Sequence, residues 1–345
     1  MTNKTHRFDT GKFEVLATGL EYPEGPIACD DGSVLLVEVR GGTLTRVRPD
    51  GSKETVAHLG GSPNGAARGP GGKIYVCNSG GFVWIPVPLP PAPVTDQTLW
   101  ITGPQPPDYR GGSIQRVDGG TVETLFTEFE SEDPVTKKPV TLPLKGPDDL
   151  VFDAHGGFWF TDWGKSRMRD RDVTGVCYVP PDGAKAMEKL FPLSAPNGIA
   201  LSPGGDRLYV AETYSRRVLY WELDPKTPGQ VLRNESTIGG SYLLSAALPG
   251  QGILDSMAVD EEGNVYVATM LPEGDDPKTN GGITILSPKG EVLQFLEIDI
   301  GRPVPLPSNI CFGGEDCKTA FVTCGGSGQL VSIRMSVPGL KLNFS

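Results

Sequence analysis

The sequence predicts an all-β protein, a six-bladed β-propeller whose N-terminal strand closes the last blade. Two observations carry this. A short polar element leads into an apolar strand six times: Pro23-Glu24-Gly25-Pro26-Ile27, Pro63-Asn64-Gly65-Ala66-Ala67, Pro147-Asp148-Asp149-Leu150-Val151, Pro196-Asn197-Gly198-Ile199-Ala200, Leu254-Asp255-Ser256-Met257-Ala258 and Pro307-Ser308-Asn309-Ile310-Cys311. Each copy then continues through a Gly-containing turn into further short strands. Groups of four such strands repeating every ~40 to 50 residues are the pattern of a propeller.

The elements follow in order. Residues 13–17 read as an outer strand without its blade and are expected to pair with residues 329–334, closing the ring and removing free sheet edges. Second strands follow the turns at residues 34–37, 74–77, 158–161, 208–211, 265–268 and 320–323. Glycines at these turns, such as Gly32, Gly263 and those of His155-Gly156-Gly157, supply the positive φ angles that tight hairpins need. Third strands read at 44–47, 114–117 and 218–221, and fourth strands at 55–58, 122–125 and 292–295. The polar elements are spaced by 40, 84, 49, 58 and 53 residues, so the second interval holds an insertion, assigned to residues 82–112 of blade two. The whole chain, 1–345, is expected to be one propeller domain.

The composition agrees: 46 Gly and 32 Pro suit many turns and few helices. No apolar run approaches the ~18 residues of a membrane span, and residues 1–6 lack the apolar core of a signal peptide, so a cytoplasmic protein is expected. The six cysteines contain no Cys-x-x-Cys pair, and Cys29, Cys77, Cys177 and Cys311 lie in apolar strands. Free thiols are expected, with Cys317 and Cys324 the one pair left open. A net charge of −11 with no basic face excludes nucleic acid.

Only three histidines occur, His6, His58 and His155, and none stands at a repeat position. That disfavours a Ser-His-Asp or Cys-His nucleophile and a zinc site of His or Cys. Carboxylates, amides, hydroxyls and an ion remain. The first strand of each blade lines the axial channel, so Glu24, Asn64, Asp148, Asn197, Asp255 and Ser308 are expected to converge there. A ring of oxygens suits a hard divalent cation, which takes ~6 to 8 oxygen ligands. Without one, Glu24, Asp148, Asp149 and Asp255 would repel one another. The alternative is that each polar residue caps its strand or bonds a neighbouring blade. A second set, Glu38, Asn78, Asp162, Glu212, Thr269 and Thr323, stands at the ends of the second strands, either orienting ligands or making strand-end hydrogen bonds.

Four of these runs resemble one family. They are Tyr22-Pro23-Glu24-Gly25-Pro26; residues 147–153 with Phe160-Thr161-Asp162; residues 196–202 with Val210-Ala211-Glu212-Thr213; and residues 254–260, where the family typically shows Pro-Asp-Gly. The sequence is similar to the senescence marker protein / gluconolactonase / luciferin-regenerating enzyme family, six-bladed propellers with a divalent metal in the central channel. The resemblance implies Glu24, Asn197 and Asp255 as metal ligands, with Asp148 as a further contact where the family usually has Asn. Lys145-Gly146 replaces an Arg that the family often uses for sugar-acid hydroxyls, which points away from gluconolactone itself.

The expected function is a metal-dependent hydrolase, a lactonase, with Asp255 as general base or, alternatively, nucleophile. Asn64, Asp148, Trp163 and Tyr214 are the expected substrate contacts. Calcium is the expected ion, with magnesium, manganese or zinc as alternatives. The partner is a small lactone or ester, with no nucleic acid and no membrane, and the protein a monomer or homodimer. The competing functions are a phosphotriesterase-like hydrolase on the same ligands and a non-catalytic binding propeller. The insertion, with its run Phe82-Val83-Trp84-Ile85-Pro86 and later Trp100, Pro106, Pro107 and Tyr109, cannot sustain a sheet interior. It reads as a lid over the site or as a surface or dimer contact.

Overall fold

The repeat becomes six antiparallel sheets, each starting on the strand that carries the polar element. The computed structural model describes residues 8, 11–87, 98–133, 135–232, 240–246, 252–270, 281–300 and 305–345. The innermost strands are Pro23–Ala28, Pro63–Arg68, Pro147–Phe152, Pro196–Leu201, Ile253–Val259 and Pro307–Gly313. Each packs on the next and the sixth on the first, which makes the ring. Glu14–Ala17 pairs antiparallel with Gln329–Arg334, Val15 opposite Val331, and completes blade six as expected.

The core lies between the blades. Between blades three and four, Trp159, Val176, Tyr178, Val210 and Trp221 interlock and are almost fully buried. Truncating either tryptophan to alanine should destabilise the fold by about 3–5 kcal/mol. All six cysteines are free, Cys317 and Cys324 included. No helix among the described residues is long and apolar enough to cross a membrane.

The polar elements have one structural meaning. In every blade the pairing of first and second strand shifts register next to the repeat residue, as between Glu24 and Ile27, Pro63 and Ala66, Pro147 and Leu150, or Leu254 and Met257. Such bulges re-aim a side chain. Where glycine follows, the next inner strand comes close. A Cβ on Gly25 would stand 2.5 Å from the Ala66 nitrogen, and one on Gly198 would stand 2.6 Å from the Ser256 Cα.

Two features differ from the expectation. Between Asn64 and Asp148 the chain makes two excursions, not one. Glu128–Glu132 and Pro139–Pro143 form a hairpin on the outer edge of blade three, joined through Glu130 beside Met187. Its sequence alternates weakly, so it does not stand out from a loop. Within 82–112, Trp84–Val87 pairs with Leu99–Thr102 as a separate two-stranded ribbon. Pro86 is tolerated there because such a ribbon is all edge. The proline-rich stretch 88–97 lies outside the described residues, as does His6.

Candidate active site

The six bulges deliver five of the six repeat side chains to the polar end of the channel. Glu24, Asp148, Asn197 and Asp255 are buried, and Asn64 is half-buried. Asn64 Nδ2 donates to Asp148 Oδ2 at 2.7 Å, linking blades two and three. Asp148 Oδ1 is buried with no hydrogen-bond partner. Glu24 Oε2 accepts from the Gly25 amide at 2.7 Å and from Asn309 Nδ2 at 2.9 Å. Asn197 Nδ2 donates to Thr213 Oγ1 at 3.2 Å, and its amide also lies against the Asp255 carboxylate.

Ser308 is a correction. Its hydroxyl donates to the Pro23 carbonyl at 2.8 Å and lies 3.0 Å from Thr323 Oγ1, so it joins blade six to blade one instead of offering an axial oxygen. Asn309, one residue on, reaches the site in its place through Glu24.

The electrostatics are those of crowded buried acids. Burial pushes the Glu24 carboxyl well above its usual range, and the charges of Asp255 and Asp149 add to this. Burial does the same to Asp255, with Asp148 adding, and to Asp148, with Glu24 and Asp149 adding. Asp149 is pushed up to about 7 by burial against hydrogen bonds that favour its anion. Lys165 also acts on Asp148, yet burial pushes that amine down to about 7. It is held elsewhere, donating to the Gly81 carbonyl at 2.8 Å and lying 3.7 Å above the Phe82 ring.

This donor set fits a hard divalent cation: all oxygen, carboxylate-rich, short of positive charge, with one carboxylate oxygen orphaned. Among the described residues no three Asp, Glu, His or Cys side chains group closely enough to hold an ion by themselves. A ligand set here would need a further oxygen, such as that of the Asn197 amide. His58 and His155 are exposed on the outer strand and on a turn.

The second-strand set makes strand-end bonds. Glu38 accepts from the Glu21 amide, Asn78 from Ser62, Asp162 from Lys145 and Gly146, and Glu212 from Ser194. Each donor lies two or three residues before a repeat residue, so these side chains fix the approach to the bulge. Thr269 and Thr323 bond Thr284 and Ser308.

Trp163 and Tyr214 stand side by side at this mouth, ring centroids 5.8 Å apart, and the Trp163 indole N–H donates to Thr213 at 3.1 Å. The row continues from Trp163 to Phe82 at 6.2 Å, to Trp84 at 6.3 Å and to Tyr22 at 5.2 Å. Rings from blades one, three and four and from the insertion thus line one wall. Tyr22 has φ of +61°, strained for a bulky residue, and burial pushes its phenol up, with the charges of Asp255, Glu24 and Asp148 adding. Sequence reasoning missed Tyr22, Lys165, Asn309 and Arg171, whose guanidinium lies against the Trp163 and Tyr214 rings. Tyr22 adjoins Pro23, but Lys165 and Arg171 lie in a charged run that reads as a solvated loop.

The opposite mouth is covered by the last residues. Leu340 donates to the Val259 carbonyl at 2.9 Å and Asn343 Nδ2 to that of Phe152 at 3.0 Å, while Phe344 packs on Phe152. Beneath them lies a cavity of about 120 Å³ lined by Ile27, Ala66, Val151, Ile199, Met257 and Ile310 among others.

A closed ring of six blades with buried carboxylates and amides at one axial mouth defines a propeller with an oxygen-ligand axial site. The chain belongs to the SMP-30/Gluconolactonase/LRE-like family, whose profile matches residues 22–326. It is 28% identical to a gluconolactonase of Zymomonas mobilis, over 94% of this chain and 82% of that one. It is 27% identical to the lactonase drp35 of Staphylococcus saprophyticus, over 74% of this chain but 65% of the relative, just under two thirds of its length. The fold matches a gluconolactonase of Xanthomonas campestris, with TM-score 0.64, 20% identity and 94% and 89% of the two chains covered. It also matches the calcium-binding protein regucalcin of Agrobacterium tumefaciens, with TM-score 0.65, 16% identity and 97% and 98% covered.

Proposed function

We propose that the protein is a divalent-cation-dependent lactonase. The observation that carries this reading is the orphaned Asp148 Oδ1 among Glu24, Asp255 and Asn197, a buried acidic group whose nearby cation, Lys165, donates to the Gly81 carbonyl instead. Membership of the family and the names of the gluconolactonase and lactonase relatives support the same reaction. Glu24, Asn197 and Asp255 would hold the cation, with Asp148 beside them. Bound there, a cation supplies Lewis-acid polarisation of the lactone carbonyl.

The side chains divide the remaining work. Asp255 accepts a proton from the attacking water, whose oxygen bonds to the carbonyl carbon. The ring C–O bond then breaks, and the alkoxide takes that proton back from Asp255 to give a hydroxy acid. Asn64 is fixed by its bond to Asp148 and positions the substrate. Trp163, Tyr214, Phe82 and Trp84 offer apolar faces, which favours a lactone whose ring carries few hydroxyls. The ribbon at Trp84–Val87 and Leu99–Thr102 serves as the lid of this mouth.

The test is elemental analysis of protein purified without chelator, followed by a panel of lactones. About one equivalent of divalent ion and ring opening that stops with excess chelator are expected. Full activity without metal would overturn the proposal.

A further inference from the structure

Arg171 takes no part in the reaction proposed above, and its setting is unusual. It lies on the loop between the second and third strands of blade three. Its guanidinium carbon is 4.8 Å from the Trp163 ring centroid and 4.5 Å from that of Tyr214. Nη2 donates to the Trp163 carbonyl at 3.1 Å. Nε and Nη1 are buried and have no hydrogen-bond partner among the described residues. The adjacent carboxylate, Asp172, pairs with Arg167 at 2.9 Å. Two donors shut away from water without acceptors oppose folding, and contact with two aromatic faces returns only part of that. An arrangement of this kind is explained if a ligand supplies the acceptors.

The cation lies near the candidate ligands. Trp163, one face of the clamp, gives its indole N–H to Thr213, which also accepts from the Asn197 amide. Tyr214, the other face, is 51% exposed, so rotation of its ring opens the guanidinium to the mouth. The channel beside it presents carboxylates, which repel an anion, so an anionic group entering here has Arg171 as its natural destination. Charge-assisted hydrogen bonds to a carboxylate are the strong kind that a guanidinium makes.

We infer that Arg171 is a specificity-determining residue that receives a carboxylate carried on the substituent of the lactone ring. The substrate class is then a carboxylated lactone, opened to a hydroxy dicarboxylate. This rests on the lactonase reading and refines it.

The probes are a γ-butyrolactone bearing a ring carboxylate and the same lactone as its carboxamide. The wild-type protein should prefer the carboxylate in kcat/KM. Arg171→Gln should cut kcat/KM on the carboxylate about 10- to 100-fold, mainly through KM, and several-fold less on the carboxamide. Arg171→Lys, which keeps the charge, should recover part of the preference. No preference in the wild type, or an equal loss on both lactones in Arg171→Gln, overturns the inference while leaving the lactonase reading intact. If neither lactone opens, the lactonase reading fails for this class, and calorimetry with the ring-opened dicarboxylate decides the role of Arg171. Binding weakened in Arg171→Gln supports it, and equal or absent binding overturns it.

Discussion

Asn64 and Asp148, 84 residues apart in sequence and on adjoining blades, share a 2.7 Å hydrogen bond that uses one carboxylate oxygen and leaves the other buried and unpaired. The pair joins the two blades at the axis and holds an oxygen ready for a positive charge. Asn64→Ala removes the one hydrogen-bond partner that Asp148 Oδ2 has among the described residues. A buried acceptor left unsatisfied opposes folding by about 1–3 kcal/mol. The loss should be larger in chelator than in calcium, since an ion would satisfy Asp148 from the other side. Urea melts of both proteins in both conditions measure this, and an equal loss would remove Asp148 from the ion's surroundings.

The raised carboxyls set a pH dependence for the metal-free protein. Folding lifts Glu24, Asp148, Asp149 and Asp255 above their ordinary range, Asp149 to about 7. The folded state therefore binds more protons than the unfolded chain, and stability falls as pH rises. The window opens near the ordinary carboxylate value of about 4 and reaches about 7 for Asp149. In chelator, Tm should fall across this range. A saturating divalent ion should flatten the slope and raise Tm, because a ligand at 100 times its Kd adds about 2.7 kcal/mol. A Tm that climbs with pH in chelator would contradict the buried-acid picture.

How much of this was legible depends on whether a feature is local. The bulge at each inner strand is written in five consecutive residues, so Glu24, Asn64, Asp148, Asn197 and Asp255 could be found by repetition alone. Ser308 matched the repeat but not its role, because what its hydroxyl meets is the Pro23 carbonyl of a blade 285 residues away. The two readings of Glu38, Asn78, Asp162 and Glu212 also needed coordinates, since their backbone donors lie 16 to 18 residues upstream. The aromatic wall was legible in its parts but not as a row. Trp163 and Tyr214 were expected contacts and Phe82 and Trp84 lay in the expected insertion, but only closure of the ring brings them together with Tyr22.

Asp255 is the side chain on which the proposed chemistry depends most. Asp255→Asn keeps an oxygen of similar size but removes the charge and the proton acceptor. A general base is worth ~10²- to 10⁴-fold in rate, so kcat should fall by that factor while some metal is retained. Metal content together with steady-state kinetics separates the outcomes. Normal turnover would leave Asp255 a scaffold residue only.

The insertion is tied across the mouth at several points. Trp84 packs on Tyr22 of blade one, Trp100 stacks on Arg40 at 5.0 Å, and the Gln105 amide donates to the Ser166 carbonyl at 2.9 Å on blade three. The insertion therefore touches blade one through its ribbon and blade three through Gln105, beside the mouth that Trp163 and Tyr214 line. A segment placed there touches the remote parts of a substrate and not the reacting carbonyl, so its removal should act on binding more than on turnover. Replacing residues 86–107 by a short Gly-Ser linker, which keeps Phe82 and Trp84, should raise KM with a smaller change in kcat. The increase should be greater for a lactone with a bulky apolar substituent than for a sugar lactone, because the lost surface includes Trp100. Kinetics of the trimmed protein on one lactone of each kind decide it. Equal KM changes for both would mean that the ribbon covers the mouth without reading the substrate, and a change in oligomeric state on trimming would mark it as a subunit contact instead.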